Sequence, residues 1–176
     1  IPRGGKSLIE MIMQESKIPM IKHLDGNCHV FIDRDANHKI AFDVSLNSKV
    51  QRLGVCNAKE TLLIHEEYPV KKSVEILSAL GDSGIELRGC SQIKKIFTKS
   101  KIAKESDWYR EYLGPVLAVK IVKSLDDAIS HISKYGSMHT DAIISQDKYA
   151  IKTFMQKVDS SSVMVLSLIH ISEPTR

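Results

Sequence analysis

The sequence predicts an α/β fold with a mostly parallel sheet and helices on both faces. Helical and strand patterns alternate along most of the 176 residues, an order typical of repeated β-α-β units. Residues 61–65 are almost continuously apolar, as expected of a strand that is buried on both sides of a sheet. An apolar content of 43% is ordinary for a globular protein, and a chain of this length can bury its own core.

In the first third of the chain the predicted elements follow one another closely. Apolar residues recur at helical spacing after position 6, and two short apolar runs farther on are separated by a Gly-containing turn. Ala36, Ile40 and Val44 are expected to form the inward face of the next helix. The elements predicted here are a helix at residues 6–14, strands at 19–23 and 29–33, a helix at 40–50 and a strand at 61–65.

The rest of the chain continues the alternation, and capping residues mark several helix ends. Val74, Leu77 and Leu80 form an amphipathic stripe, and Gly84 supplies the stop after it. Ser124 is a predicted N-cap, with an acid three residues later as in a capping box. The predicted elements are a helix at residues 70–80, strands at 85–88 and 116–122, a helix at 124–136, a strand at 142–144, a helix at 148–157 and a strand near 162–165.

Composition and charge narrow the classes of function. The net charge is +4, but the basic residues are scattered, which favours anionic ligands over a nucleic-acid surface with its basic stripe. No apolar run approaches the length of a membrane span. The three cysteines are widely spaced and lack the pairing of a metal site. We therefore expect reduced thiols, a cytoplasmic protein and no bound metal.

The most informative segment is residues 51–65, where Cys56 lies in a Gly-containing turn between a predicted helix and a predicted strand. A turn exposes a thiol to substrate, and the nearby Lys49 and Arg52 would favour the reactive thiolate. A free cysteine is more often a small buried hydrophobic residue. The spacing by itself therefore leaves both interpretations open.

Several segments together point to one family. In order along the chain they are IPRGGKSLIEMI, IPMIKHLDGNCHVFID, QRLGVCNAKETLLIH, LDDAISHISKYGSMHTDAIIS and VDSSSV. These segments resemble gamma-glutamyl phosphate reductase, also called glutamate-5-semialdehyde dehydrogenase, of the aldehyde dehydrogenase superfamily. The resemblance covers roughly residues 1–165 and implies an aldehyde-dehydrogenase-like catalytic domain.

The resemblance implies NADPH-dependent reduction of L-glutamyl 5-phosphate to L-glutamate 5-semialdehyde, with release of phosphate, in proline biosynthesis. Cys56 matches the family nucleophile, whose thiolate would form a thioester before reduction. The implied partners are this substrate, NADPH or NADP, further copies of the full-length chain and glutamate 5-kinase. Two alternatives remain open: the reductase part of a bifunctional pyrroline-5-carboxylate synthase, and a catalytically silent domain that serves binding or assembly.

The same resemblance implies cofactor-binding residues. Gly4 and Gly5 open a helix after a strand, at a place that borders the cofactor in the family, although a plain turn shows the same pattern. Glu111, in the segment EYLGP, resembles an acid that binds the nicotinamide ribose. A solvated loop acid is the alternative for Glu111.

Three further residues are expected to bind substrate. Arg52 and Asn57 flank the nucleophile, and His139 lies in a loop that precedes a predicted strand. His139 equally suits a capping or surface role.

The domain organisation is expected to be that of an internal piece of a longer enzyme, inactive as a reductase by itself. Residues 1–23 would end a cofactor-binding domain and its crossover, and residues 24–165 would form a truncated catalytic domain. Residues 166–176, LSLIHISEPTR, have no counterpart in the family and match a translated sequencing adapter. We expect this tail to be non-native.

Overall fold

The computed structural model describes residues 11–12, 14–17 and 25–166. The strand predicted at residues 19–23 lies outside the described residues, as does most of the helix predicted at 6–14. Of the expected non-native tail, only Leu166 is described, and it closes the last strand. Gly4 and Gly5 also lie outside the described part of the chain.

Strands and helices alternate through the described chain. The strands are β1 (Cys28–Ile32), β2 (Lys59–His65), β3 (Glu86–Gly89), β4 (Lys101–Ile102), β5 (Val116–Val122), β6 (Thr140–Ile144) and β7 (Ser162–Leu166). The helices are α1 (His38–Val50), α2 (Val70–Asp82), α3 (Ser91–Ile96), α4 (Glu105–Trp108), α5 (Leu125–Tyr135) and α6 (Lys148–Lys157). The predicted strand at 116–122 and the predicted helix at 148–157 have these same bounds.

The strands form one sheet of seven, in the order β4-β3-β5-β2-β1-β6-β7. Every pairing between neighbours is parallel, since each strand is joined to the next through a helix. This architecture confirms the predicted α/β class and its mostly parallel sheet.

Each face of the sheet has its own apolar layer. Successive residues of a strand point to opposite faces, so Val30 and Ile32 pack in one cluster with helices α1, α2 and α3. Phe31 lies in a second cluster with helices α5 and α6. All residues of β1 and β2 are buried, which is why residues 30–32 and 62–64 are continuously apolar, without the alternation of a half-exposed strand.

Two helices begin or end where the predicted capping residues indicated. Ser124 Oγ accepts a hydrogen bond from Asp127 N–H at 3.1 Å, and the Asp127 carboxylate accepts from Lys123 N–H at 3.1 Å. Gly84 has a φ of 84°, a left-handed conformation that suits glycine after a helix. In the described part of the chain, no helix combines the length and apolarity needed to cross a membrane.

Helix α1 buries a face shifted by one residue from the predicted one. Of the three residues predicted to face inward, Ala36 is buried, whereas Ile40 and Val44 are only half-buried at the edge of the core. The helix instead buries two polar residues, Ser45 and Lys49, and the Lys49 side chain pairs with Glu60 at the start of β2. The fully buried residues of this helix are Ala41, Ser45 and Lys49.

Candidate active site

Four loops meet at one edge of the sheet. The strands β5, β2, β1 and β6 are neighbours in this order, and because they are parallel their amino ends lie on the same side. The loops that precede them carry Glu111, Cys56, Gly26 and His139, respectively. The fold thus collects on one rim residues that are widely separated along the chain.

Cys56 is exposed in the middle of a tight turn. Ala58 N–H donates to the Val55 carbonyl at 2.9 Å, so that Cys56 and Asn57 occupy the two central positions. Both side chains are exposed. The Cys56 thiol is therefore outside the core and open to a ligand. Arg52, on the approach to this turn, is also exposed.

Gly26 packs directly against the Cys56 turn. A Cβ at this position would collide with the Cys56 carbonyl oxygen and would lie 2.7 Å from Glu111 Oε1, so only glycine allows this close approach. The Gly26 N–H donates to Glu111 Oε1 at 2.9 Å. Gly26 thereby joins the turn that bears the thiol to the loop that bears Glu111.

Cys28 lies beneath the turn and contacts its main chain. The Cys28 thiol donates to the Cys56 carbonyl with an Sγ–O distance of 3.3 Å, and its Sγ lies 4.0 Å from His139 Nδ1. His139 Nδ1 is also 2.8 Å from Thr140 Oγ1. Burial, reinforced by the charge of Asp141, raises the pKa of Cys28 to about 12. Cys28 therefore remains a neutral thiol while Cys56 faces solvent.

A group of buried charges lies under the same turn. Lys49 Nζ and Glu60 Oε2 are 2.7 Å apart, and both side chains are fully buried. Leu113 N–H donates to the other carboxylate oxygen, Glu60 Oε1, at 3.2 Å. Lys59 Nζ donates to the Ser45 carbonyl of α1 at 2.7 Å. The strand that follows Cys56 is therefore bound to α1 and to the loop before β5.

A β-bulge explains how two successive side chains reach α1. The register between β1 and β2 shifts at this point: Cys28 is opposite Lys59, whereas His29 is opposite Thr61. Glu60 is the extra residue on β2, and a bulge of this kind redirects side chains next to functional sites. Lys59 and Glu60 consequently both contact α1, although alternate residues of a regular strand point to opposite faces.

Burial shifts the pKa of each of these charged groups toward its neutral form. Burial raises the pKa of Glu60, against the opposing effects of Lys49 and of backbone N–H groups in the loop. It lowers the pKa of Lys49, opposed by Glu60. Burial and the charge of Lys49 together place the pKa of Lys59 well below its usual value. Lys49 was expected to favour a thiolate, but its ammonium is instead paired with Glu60.

A cavity of about 870 Å³ opens beside the rim, between α1 and the strands β1, β6 and β7. Cys28, Asn57 and Thr140 line it where it approaches the candidate site, and Phe42 and Leu46 line its apolar side. Asn57 lines the cavity where it meets the turn, whereas the neighbouring Cys56 is not part of its lining. Within residues 11–12, 14–17 and 25–166, no group of three or more His, Cys, Asp or Glu side chains could hold a metal ion.

The residues predicted from the sequence for this rim are exposed or half-buried, and the fully buried ones were missed. Cys56, Asn57, Glu111 and His139 were predicted, whereas the roles of Gly26, Cys28 and Glu60 in supporting them were not. One available signal was the pair of adjacent charged residues, Lys59 and Glu60, at the head of an apolar strand. Buried charges in such a position require partners.

Comparison with known proteins identifies relatives of the chain, although no protein-family model matches it. Gamma-glutamyl phosphate reductase of Thermodesulfovibrio yellowstonii is 48% identical over 165 residues, which are 94% of this chain and 40% of the relative. The chain thus spans about 40% of the length of this curated relative.

Solved structures show the same relationship. The crystal structure of gamma-glutamyl phosphate reductase from Thermotoga maritima matches with a TM-score of 0.90 and 38% identity, over 93% of this chain and 40% of that one. The enzyme from Saccharomyces cerevisiae matches with a TM-score of 0.65 and 32% identity, over 95% and 42% of the two chains. Betaine aldehyde dehydrogenase of Staphylococcus aureus, at 15% identity and a TM-score of 0.72 over 97% and 43%, shares the fold. In sequence and in fold, this chain is similar to gamma-glutamyl phosphate reductases over about 40% of their length, and it shares its fold with aldehyde dehydrogenases.

Proposed function

We propose that this chain is the nucleophile-bearing part of an NADPH-dependent reductase that converts L-glutamyl 5-phosphate into L-glutamate 5-semialdehyde, for proline biosynthesis. The observation that carries the proposal is the exposed Cys56 turn, supported by Gly26 and Cys28 and joined to Glu111. The 48% identity to a gamma-glutamyl phosphate reductase supports this choice of reaction.

Cys56 performs the first step in this proposal. Its thiolate attacks the carbonyl carbon of the acyl phosphate, a C–S bond forms, and the bond from that carbon to the phosphate oxygen breaks. Phosphate leaves with the electron pair, and the substrate remains as a thioester on Sγ. The Cys56 backbone N–H is the proposed donor to the oxygen that becomes negative during the attack.

Glu111 fits a nicotinamide cofactor in the second step. It is a half-buried carboxylate at the rim, anchored through Oε1 by the Gly26 N–H, and a carboxylate accepts hydrogen bonds from vicinal ribose hydroxyls. When bound, the cofactor would supply the hydride that reduces the thioester. We propose Gly4 and Gly5 as further cofactor contacts, and Arg52, Asn57 and His139 as substrate contacts.

The wider setting is also a proposal. The longer protein would be cytoplasmic and homo-oligomeric, would use NADPH, and would receive its acyl phosphate from glutamate 5-kinase. The alternative is the reductase part of a bifunctional pyrroline-5-carboxylate synthase, which has the same chemistry at Cys56. A silent binding or assembly domain would have no use for an exposed thiol on a turn whose main chain is supported by Gly26 and Cys28.

Acylation of the 176-residue chain tests the first step without any cofactor. Glutamate, ATP and glutamate 5-kinase would generate the acyl phosphate in place, and mass spectrometry after acid quenching would detect a glutamyl adduct. We expect one adduct, located on Cys56 by peptide mapping, its absence in Cys56→Ser, and its retention in the control Cys90→Ser. A folded chain that gains no adduct, or gains it on Cys28 or Cys90, contradicts the proposal.

A further inference from the structure

Glu60 joins three elements beneath the candidate active site. Its Oε2 pairs with Lys49 Nζ of α1 at 2.7 Å, and its Oε1 accepts from Leu113 N–H at 3.2 Å. Glu60 follows Cys56 by four residues, and Leu113 follows Glu111 by two. One buried carboxylate thus connects the strand behind the thiol to the loop that carries the proposed cofactor-binding acid.

The loop held by Glu60 has a backbone conformation that needs support. Leu113 has a φ of 51°, in the left-handed region that costs a non-glycine residue about 1–2 kcal/mol. Its side chain is 50% exposed, so apolar burial offsets little of this cost. The Leu113 N–H is bound to a carboxylate oxygen, and a charged acceptor makes a stronger hydrogen bond than a neutral one.

From this loop the contacts return to the thiol. Glu111 Oε1 accepts from Gly26 N–H at 2.9 Å, and Gly26 packs against the Cys56 carbonyl. The contacts form a closed ring that runs from Cys56 along β2 to Glu60, through Leu113 to Glu111, and through Gly26 back to Cys56. A shift of the Leu113 amide would consequently move Glu111 relative to the thiol.

We propose that Glu60 is a positioning residue of the reductase, which sets the place of the Glu111 carboxylate relative to the Cys56 thiol, with Lys49 as its buried counter-charge. The proposal rests on the proposed function. Because Glu60 is fully buried and its carboxylate binds Lys49 and the loop that carries Glu111, its effect belongs to the hydride-transfer step, which depends on cofactor orientation. Acylation of Cys56 requires no cofactor and serves as the internal reference.

Two double variants separate positioning from stability. Removing only one member of the pair would leave a buried uncompensated charge, so both variants replace Lys49. Lys49→Met/Glu60→Gln keeps a side-chain oxygen that can accept from Leu113 N–H. Lys49→Met/Glu60→Leu removes this acceptor. The comparison isolates the hydrogen bond to the loop, since the ion pair is absent from both.

The measurements are Cys56 acylation without cofactor, and kcat and KM for NADPH in the complete reductase. We expect both double variants to keep acylation within about threefold of the unsubstituted protein, and the Gln variant to keep reduction within the same range. The Leu variant should lose reduction on the order of tenfold or more, with a raised KM for NADPH. Equal loss of both steps, or equal kinetics for the two variants, would overturn the inference.

Hydrogen exchange provides a second measurement that does not depend on the variants. The Leu113 amide should exchange slowly in the unsubstituted protein, because it is bound to a buried carboxylate. Exchange at the rate of an open loop would overturn the inference even if the Leu variant failed to fold. Absence of reduction by the unsubstituted reductase, in contrast, would refute the proposed function.

Discussion

The Cys28 thiol donates a hydrogen bond to the carbonyl oxygen of Cys56 across 3.3 Å, so that a buried cysteine holds the main chain of an exposed one. The two residues have the same side chain and opposite environments. Burial raises the pKa of Cys28 to about 12, and a protonated thiol is the form that can donate this bond. Cys28 is therefore suited to orient the turn and not to attack a substrate.

Replacing Cys28 should affect acylation through this bond. Cys28→Ala removes the donor, and we expect Cys56 acylation to slow by about two- to fivefold, because a weak hydrogen bond contributes roughly 0.5–1 kcal/mol. Cys28→Ser retains a donor of similar size and should acylate at nearly the unsubstituted rate. Rates would be measured by quenched mass spectrometry, with far-ultraviolet circular dichroism as the folding control. Identical rates in all three proteins would assign Cys28 to packing alone.

Replacing Glu111 should affect reduction more than acylation. In the complete reductase, Glu111→Ala should lower turnover on the order of tenfold or more, because hydride transfer requires a precisely oriented nicotinamide. Glu111→Gln is the matched control, since its amide oxygen can still accept from Gly26 N–H and should preserve the Cys56 turn. Steady-state kinetics with varied NADPH would reveal the difference. Unchanged kinetics in Glu111→Ala would identify Glu111 as a solvated loop acid.

Replacing each of the two buried lysines with methionine should change the free energy of unfolding in opposite directions: Lys59→Met should raise it and Lys49→Met should lower it. The folded-state pKa of Lys59 lies well below its usual value, whereas an unfolded lysine titrates near 10.4. The unfolded chain therefore binds a proton that the folded chain excludes, and Lys59 destabilises the fold increasingly as pH falls below about 10. Lys59→Met should stabilise the chain by about 1 kcal/mol or more at neutral pH, and this gain should shrink toward pH 10.

Lys49→Met is the contrasting variant. It leaves the Glu60 carboxylate buried without its counter-charge, and such a change costs about 3–5 kcal/mol. Urea unfolding at several pH values, with both variants and the unsubstituted chain, would measure the two effects. A Lys59→Met protein that is less stable than the unsubstituted chain at neutral pH would show that the bond to the Ser45 carbonyl outweighs the cost of the buried amine.

Acid should destabilise the fold through His131. Burial, then the charges of His29, Lys120 and Lys134, lower the pKa of His131 to about 2, and Lys120 Nζ lies 3.1 Å from its Nδ1. An unfolded histidine titrates near 6.5, so below about pH 6.5 the unfolded chain binds a proton that the folded chain excludes. The stability that the neutral His131 contributes above this pH is therefore lost as pH falls, by roughly 1.4 kcal/mol per pH unit.

The slope of stability against pH provides the test for His131. His131→Phe keeps an aromatic ring against Trp108 and Tyr135 and removes the titrating group. Its free energy of unfolding should therefore fall less steeply between pH 6.5 and 4.5 than that of the unsubstituted chain. The slope is compared, and not the absolute stability, because His131→Phe also removes the hydrogen-bond acceptor of Lys120 and so lowers the free energy of unfolding at every pH. Equal slopes would show that other groups control acid unfolding.

The secondary structure was largely determined by local sequence. The apolar run of β2 predicted a strand that is buried on both faces, and the predicted N-cap Ser124 marked the start of α5. These signals depend on neighbours within about one helical turn, which is why they are visible without a structure. Residues 91–108 were not predicted, because α3, β4 and α4 contain 6, 2 and 4 residues and are too short to show a period.

Which residues support the candidate site is determined only by the tertiary structure. The sequence placed Cys56 in a turn and Glu111 in a loop, and the family resemblance implied their roles, but neither indicated that Gly26 lies between them. That contact joins residues 85 positions apart, and it exists because β5, β2 and β1 are neighbours in the sheet. Likewise, the bulge at Glu60 turns two successive charged residues toward α1. Strand order and register are properties of the assembled sheet, and local patterns of side chains do not contain them.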